Sequence, residues 1–316
     1  MERGRLAGRS GCQSLRARLV ILLVAPLALA ACGQLSRPSL PTYPATANRH
    51  PGLVLISQLN GQLVRTLTTD RNAQFPTATD AAAYYSSGLV GPLTCRDDIV
   101  RQSTQVGQRP VPVLRGLPTV TALAVAANGR WLALGITGGG CGGNGSNSLV
   151  IYRSLKRVAM IPVSAPIEGL SWDTKPRELL VAVSLPGLSS IAEIPFPQLL
   201  RHGVRLSDMR KLPCAVARNC SESAPAVTAN GTIYYISIIS PGSKPCAISV
   251  CTSQRYTLTR FLGGRAEQLY TRSGEAGRSA YCAAMPSTGN VVVTFAGHSY
   301  FLAAHHLRKL RLLLTN

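Results

Sequence analysis

The sequence predicts an all-β fold, a β-propeller of about five to seven four-stranded blades behind a cleaved signal peptide and a short linker. Three observations carry that expectation. Apolar and polar residues alternate with a period of two through most of the chain, and no window shows a helical stripe. Short strands pair around polar turns rich in Asn, Asp, Gly and Pro. Those turns recur near Asp80, Asn128, Lys175, Asn230 and Gly289, about 48, 47, 55 and 59 residues apart.

The repeated segments are residues 75–88, 119–135, 167–184, 224–237 and 280–295. Each has a short apolar strand, a polar turn and a second, more apolar strand. Asn128-Gly129 and Asn230-Gly231 supply the positive φ that tight hairpins need. A leading hairpin, Leu53 to Leu67, turns at Asn60-Gly61 in the same style. Further strands are expected at Ser148 to Tyr152, Arg157 to Val163, Tyr256 to Phe261, Gln268 to Thr271 and Ser299 to Ala303. Four strands per repeat suit blades that bury their faces only against neighbours. The competing arrangement of the same strands is an irregular β-sandwich. The hairpins resemble the turn of WD40-like, TolB-type propeller repeats. Asn128-Gly129 and Asn230-Gly231 fit it best, while Thr174-Lys175 and Thr288-Gly289 depart from it.

The N-terminus reads as an export signal. Arg3, Arg5, Arg9, Arg16 and Arg18 form a positive region, followed by an uncharged apolar stretch from Leu19 to Ala31. Its 13 residues are too few for a spanning helix, which needs about 20, and fit the apolar core of a signal peptide. Leu29-Ala30-Ala31-Cys32 resembles the lipobox of bacterial lipoproteins. The resemblance implies that the Cys32 thiol receives a diacylglycerol and becomes the first residue of the palmitate-bearing mature protein. Ala28-Leu29-Ala30 also offers an ordinary signal-peptidase site, which would release a soluble protein. The expected organisation is residues 1–31 as signal peptide, 32–50 as lipidated cysteine and Pro/Ser/Thr-rich tether, and 51–316 as propeller. The expected location is the extracytoplasmic face of the cell membrane.

Charge points the same way. The chain has 33 Lys+Arg against 13 Asp+Glu, a formal +20. Residues 1–31 hold five arginines and Glu2, or +4, which leaves +16 in the remainder. An arginine-favouring genome explains such an excess, and so does attraction to an anionic neighbour such as phospholipid headgroups or acidic wall polymers. Nucleic acid is not expected, because the arginines are scattered without a compact basic helix or aromatic platform.

Of nine cysteines, Cys12 leaves with the signal and Cys32 is assigned to lipid, leaving seven. Cys214 with Cys220 and Cys246 with Cys251 are candidate disulfides stapling two loops, with crossed pairing as the rival. Cys282 falls in an apolar strand and reads as a buried thiol. No zinc knuckle occurs and no metal or other cofactor is expected. The run Gly138-Gly139-Gly140-Cys141-Gly142-Gly143 satisfies GxGxxG, but a strand rather than a helix follows it, so it reads as a loop. Catalytic signatures of the elbow, zincin, P-loop and EF-hand types are absent. Asp97-Asp98 reads as a solvent-facing loop pair, His305-His306 as a solvated strand edge, and His298 lies near a turn without an identifiable nucleophile. Trp131 and Trp172 read as blade-packing residues.

The expected function is therefore a membrane-anchored, non-catalytic interaction propeller whose partner is an envelope protein, a signalling protein or an anionic polymer. Resemblance to propeller lipoproteins implies an accessory role beside a membrane protein. The alternative is an enzyme, lactonase- or lyase-like, using the central funnel. Several Asp, Glu or His side chains converging on the axis would mark the enzyme; a channel of arginine and small residues would mark an anion binder.

Overall fold

The computed structural model describes residues 41–46, 52–91, 94–138, 145–173, 178–185, 188–195, 210–212, 220–239, 254–274, 280–296, 298–303 and 306–309. Every regular element among them is a strand, and the strands form six antiparallel sheets taken in chain order. Blade 1 holds β1 (Thr42–Thr46), β2 (Leu53–Ser57) and β3 (Leu63–Thr68). Blade 2 holds β4 (Ala73–Ala78), β5 (Ala82–Gly91), β6 (Thr94–Ser103) and β7 (Val111–Leu117). Blade 3 holds β8 (Thr119–Val125), β9 (Trp131–Thr137), β10 (Asn147–Arg153) and β11 (Lys156–Val163). Blade 4 holds β12 (Ile167–Trp172), β13 (Glu178–Leu185), β14 (Leu188–Pro195) and β15 (Arg210–Lys211). Blade 5 holds β16 (Cys220–Val227), β17 (Ile233–Ile239), β18 (Gln254–Leu262) and β19 (Arg265–Gly274). Blade 6 holds β20 (Tyr281–Ala284), β21 (Val291–Phe295), β22 (His298–Ala303) and β23 (His306–Lys309). The chain is a six-bladed propeller, the middle of the expected range.

What closes the ring is apolar burial between blades. Six clusters of buried side chains occupy the six interfaces among the described residues. Leu55, Leu67 and Tyr85 join blades 1 and 2, Ile99, Leu123 and Leu134 join 2 and 3, and Leu149, Ile151 and Trp172 join 3 and 4. Leu180, Tyr235 and Phe261 join blades 4 and 5, and Ile236, Tyr256 and Phe295 join 5 and 6. Ile56, Val292 and Phe301 join the last blade to the first. The middle strands are buried on both faces and read as near-continuous apolar runs, as in WLALGIT of β9, whereas outer strands such as β3 alternate.

The first strands of blades 2 to 6 surround the axis, and four of the five are irregular. β4, β8, β12 and β16 each carry a bulge, between Gln74 and Thr77, Val120 and Ala122, Ile167 and Gly169, and Ser223 and Ala226. Phe75 and Ala224 sit in those bulges with φ of 51° and 52°. A bulge turns a strand and sharpens its twist, as the crowded centre requires.

The turns from first to second strand gather on one face of the ring. They are closed alike: Ala126 N–H donates to Trp131, Thr228 to Thr232 and Met285 to Asn290. The third-to-fourth-strand turns share that face, since Ser154 N–H donates to the Arg130 carbonyl at 2.7 Å and Thr104 to Ala81 at 3.2 Å. In blade 1 the β2–β3 turn lies there too, because Asn290 Nδ2 donates to the Gln58 carbonyl at 2.7 Å. β1 to β3 therefore run like the second to fourth strands of the other blades. The chain enters β1 on this turn face, where the Pro41 carbonyl accepts the Gln58 N–H at 2.8 Å.

Two expectations are corrected. Residues 42–46 belong to a strand whose Tyr43 and Ala45 are buried, so the propeller starts inside the stretch read as tether, ahead of residue 51. Asp97 and Asp98 lie in β6 rather than in a loop. Cys32, Cys214, Cys246, Cys251, His305 and most of the 138–143 glycine run fall outside the described residues; Cys220 contributes its backbone to β16.

Candidate functional site

Three places gather polar or accessible chemistry: the axis, a groove between blades 4 and 5, and the turn face. The axis encloses a cavity of about 60 Å³ touched by all six innermost strands, through Tyr43, Thr77, Ala124, Ser171, Val227 and Ala283 among others. Its side chains are small, apolar or hydroxylic. Asp173 is the one carboxylate among the described residues lining it, and no arginine or histidine joins it there. The arginine-lined channel expected of an anion binder is thus not what the described residues form.

Hydroxyls stitch the axis together. Thr77 Oγ1 accepts the N–H of Val125 at 3.4 Å, and Ser171 Oγ accepts the N–H of Val227 at 3.1 Å. Each hydroxyl sits two residues before its blade's turn and reaches the first strand of the next blade. Trp172 Nε1 donates to the Ala124 carbonyl at 3.3 Å across the same kind of interface. On the opposite side Tyr281 donates to the Pro76 carbonyl. Burial pushes the Tyr43 hydroxyl up to about 12, with hydrogen bonds to Tyr281 and Thr77 pulling it back. Burial likewise holds Tyr281 well above the usual tyrosine range, helped by Tyr43 beside it. The Cys282 thiol is free, buried and raised by desolvation, as its apolar strand leads one to expect. Such a thiol is protonated and unreactive at neutral pH.

The groove between blades 4 and 5 measures about 280 Å³ and brings Asp173, Glu178 and Glu193 over an apolar floor that includes Leu180, Ile233 and Phe261. Three of the 13 carboxylates of the chain meet there. Among the described residues no group of His, Cys, Asp and Glu is arranged to hold a metal ion.

Asp97 and Asp98 serve the backbone. Asp97 Oδ2 accepts the Val120 N–H at 2.5 Å, tying blade 2 to blade 3, and Asp98 Oδ1 accepts the Gly116 N–H at 2.9 Å. Desolvation raises the Asp97 carboxyl, the Val120 N–H lowers it and the Asp98 charge raises it further. His306 is exposed on β23, and His298 is half-buried on β22, its ring 6.4 Å from that of Tyr300. Trp172 is a core residue, while Trp131 is half-buried beneath the Arg153 guanidinium, 5.4 Å above its ring.

Charge is displayed on the outermost strands. β11 begins with exposed Lys156 and Arg157, β19 carries exposed Arg265, and β7 carries exposed Arg115. Cations on edge strands oppose edge-to-edge pairing, and on the outside of a ring they also set the field that a partner meets.

No protein-family model matches the sequence, and no curated protein matches it. Among solved structures the chain is similar to TolB from Acinetobacter baumannii at 13% identity, TM-score 0.57, over 95% of this chain and 70% of that one. It is also similar to a chain of the nidogen/laminin complex at 10% identity, TM-score 0.52, over 84% of this chain and 91% of that one. These likenesses define the fold as a TolB-type β-propeller.

Proposed function

We propose that the protein is a membrane-anchored extracytoplasmic lipoprotein, held by a diacylglycerol on Cys32, whose propeller is a non-catalytic interaction module. Its partner is an envelope or signalling protein or an anionic polymer of the cell envelope. The observation that carries the reading is the distribution of charge. Cations stand on the exposed outer strands, whereas the axial cavity is small, largely apolar and lined by one carboxylate among the described residues. Propellers that act through surfaces present their variable chemistry on the rim and faces. The lipobox and the basic, apolar N-terminus support the anchor.

The test is metabolic labelling with a palmitate analogue in a cell that exports the chain. Labelled protein is expected in the membrane fraction, and Cys32→Ala is expected to lose both label and stable membrane retention. Capture of the lipidated protein from its native membrane should then return a reproducible envelope partner. No partner, together with turnover in a lactone or uronide screen, would reverse the reading in favour of the enzyme.

A further inference from the structure

Three third-to-fourth-strand turns and the β2–β3 turn of blade 1 are described on the turn face, and each has an exposed aliphatic side chain in it or at its edge. Leu59 is 55% exposed in blade 1, Val106 84% in blade 2, Leu155 46% in blade 3 and Leu262 51% in blade 5. Apolar tips at corresponding points of a ring are not the scattered exposed apolar residues that any surface carries. The blade 3 tip also adopts the left-handed conformation without glycine, with φ of 49° at Ser154 and 64° at Leu155. A leucine accepts that conformation at a steric cost, which points to a use for the exposed side chain.

Cations flank the tips. Arg153, Lys156 and Arg157 surround Leu155, Arg101 and Arg109 bracket Val106, and Arg265 follows Leu262; all six are exposed. Of the carboxylates near this face, Asp80 accepts from Ser287, Glu267 pairs with Arg260 and Asp173 is half-buried in the groove between blades 4 and 5, while Glu178 beside it is exposed. Tryptophan suits the boundary between water and acyl chains, and Trp131 sits half-buried at the blade 3 tip under Arg153. The chain also enters the ring here, at Pro41. Cys32 to Leu40 is nine residues, a reach of roughly 30 Å when extended.

From these observations we infer that the turn face docks on an anionic phospholipid bilayer, its aliphatic tips entering the headgroup layer and its arginines and Lys156 meeting lipid phosphates. This rests on the lipid-anchor reading, since the anchor and the face act on the same surface. A short tether leaving from the docking face holds that face down, and the opposite face of the ring is left to the partner.

The experiment uses residues 33–316, which contain every described strand and all six cores, without the lipid, so that the face is measured apart from the anchor. Co-sedimentation is compared on vesicles of equal phosphatidylglycerol and phosphatidylcholine and on phosphatidylcholine alone. Binding is expected on the anionic vesicles and weak on the neutral ones. Each cation near a charged surface contributes about a factor of five, so Arg153→Gln/Lys156→Gln/Arg157→Gln is expected to weaken anionic binding about 100-fold. Leu155→Ser/Leu262→Ser is expected to weaken it severalfold while leaving thermal stability unchanged. Arg71→Gln/Arg115→Gln, away from the turns of this face, is expected to bind like the parent. Equal binding to both vesicle types, no binding to either, or equal loss in the Arg71/Arg115 control would overturn the docking face. Palmitate labelling at Cys32 would stand or fall independently of all three results.

Discussion

Gly169 and Ser171 show how closely the blades approach. A Cβ built on Gly169 would lie 2.8 Å from Ala224 Cα and 2.8 Å from Pro225 Cδ, backbone and ring of the next blade. Gly169→Ala is expected to cost about 1–3 kcal/mol in urea unfolding, the usual cost of overpacking. Two residues on, Ser171→Ala would leave the Val227 N–H without its acceptor, costing about 1–2 kcal/mol. An Ala at position 169 with unchanged stability would show that the blades can part there. Asp97 yields a pH prediction. Its carboxyl is raised on folding, chiefly by desolvation, so its contribution to stability grows as pH falls and is lost as pH rises through the folded value. Asp97→Asn keeps an acceptor for Val120 and removes the titration. Relative to the parent, its urea midpoint is expected to be more favourable at pH 7 than at pH 3, below the unfolded value of 3.8.

At the scale of the element, what was legible was local chemistry. Gly129 and Gly231 have φ of 66° and 81°, and the hairpins they close were visible because an Asn-Gly pair carries that geometry wherever it occurs. The strands of blades 3 and 5 were visible because a short apolar strand, an Asn-Gly turn and a more apolar strand follow one another there. β1 was not, since TYPAT has the composition of a linker and becomes a strand by pairing with β2, its Thr46 hydroxyl meeting Thr294 and Ser299 at 3.2 Å. Asp97-Asp98 looked like a loop because the amides that hold the pair, those of Val120 and Gly116, lie 23 and 18 residues away. Proline in β4 and β16 did not hide the inner strands of the repeats at 75–88 and 224–237, because it sits at bulges, where a missing N–H breaks no ladder. The exposed tips were illegible because sequence does not say which aliphatic residue a turn will lift out of the sheet. At this scale Trp172→Phe is expected to lose about 1–3 kcal/mol, from the unpaired Ala124 carbonyl and lost packing between blades 3 and 4.

For the whole molecule, blade number followed from counting interfaces rather than hairpins. Six apolar clusters, each shared by neighbouring blades, make the ring cooperative, since opening one seam exposes side chains from two blades. Alkaline pH should test the axis. Tyr43 is raised to about 12, so its contribution to stability is whole below about pH 10 and is lost as pH climbs toward 12. Tyr43→Phe is expected to move the alkaline unfolding transition, followed by circular dichroism, to higher pH. No movement would mean that Tyr281 or another buried group governs that limb.

The placement of the two tryptophans gives the ring a pair of optical reporters without engineering. Trp172 is 5% exposed in the interface of blades 3 and 4, so its emission should be blue and resistant to iodide until the seam opens. Trp131, half-buried under Arg153, should emit further to the red and be quenched readily, the cation above it drawing iodide close. A ligand arriving at the blade 3 turn should therefore change one component of the fluorescence decay and leave the other untouched, whereas unfolding should merge the two.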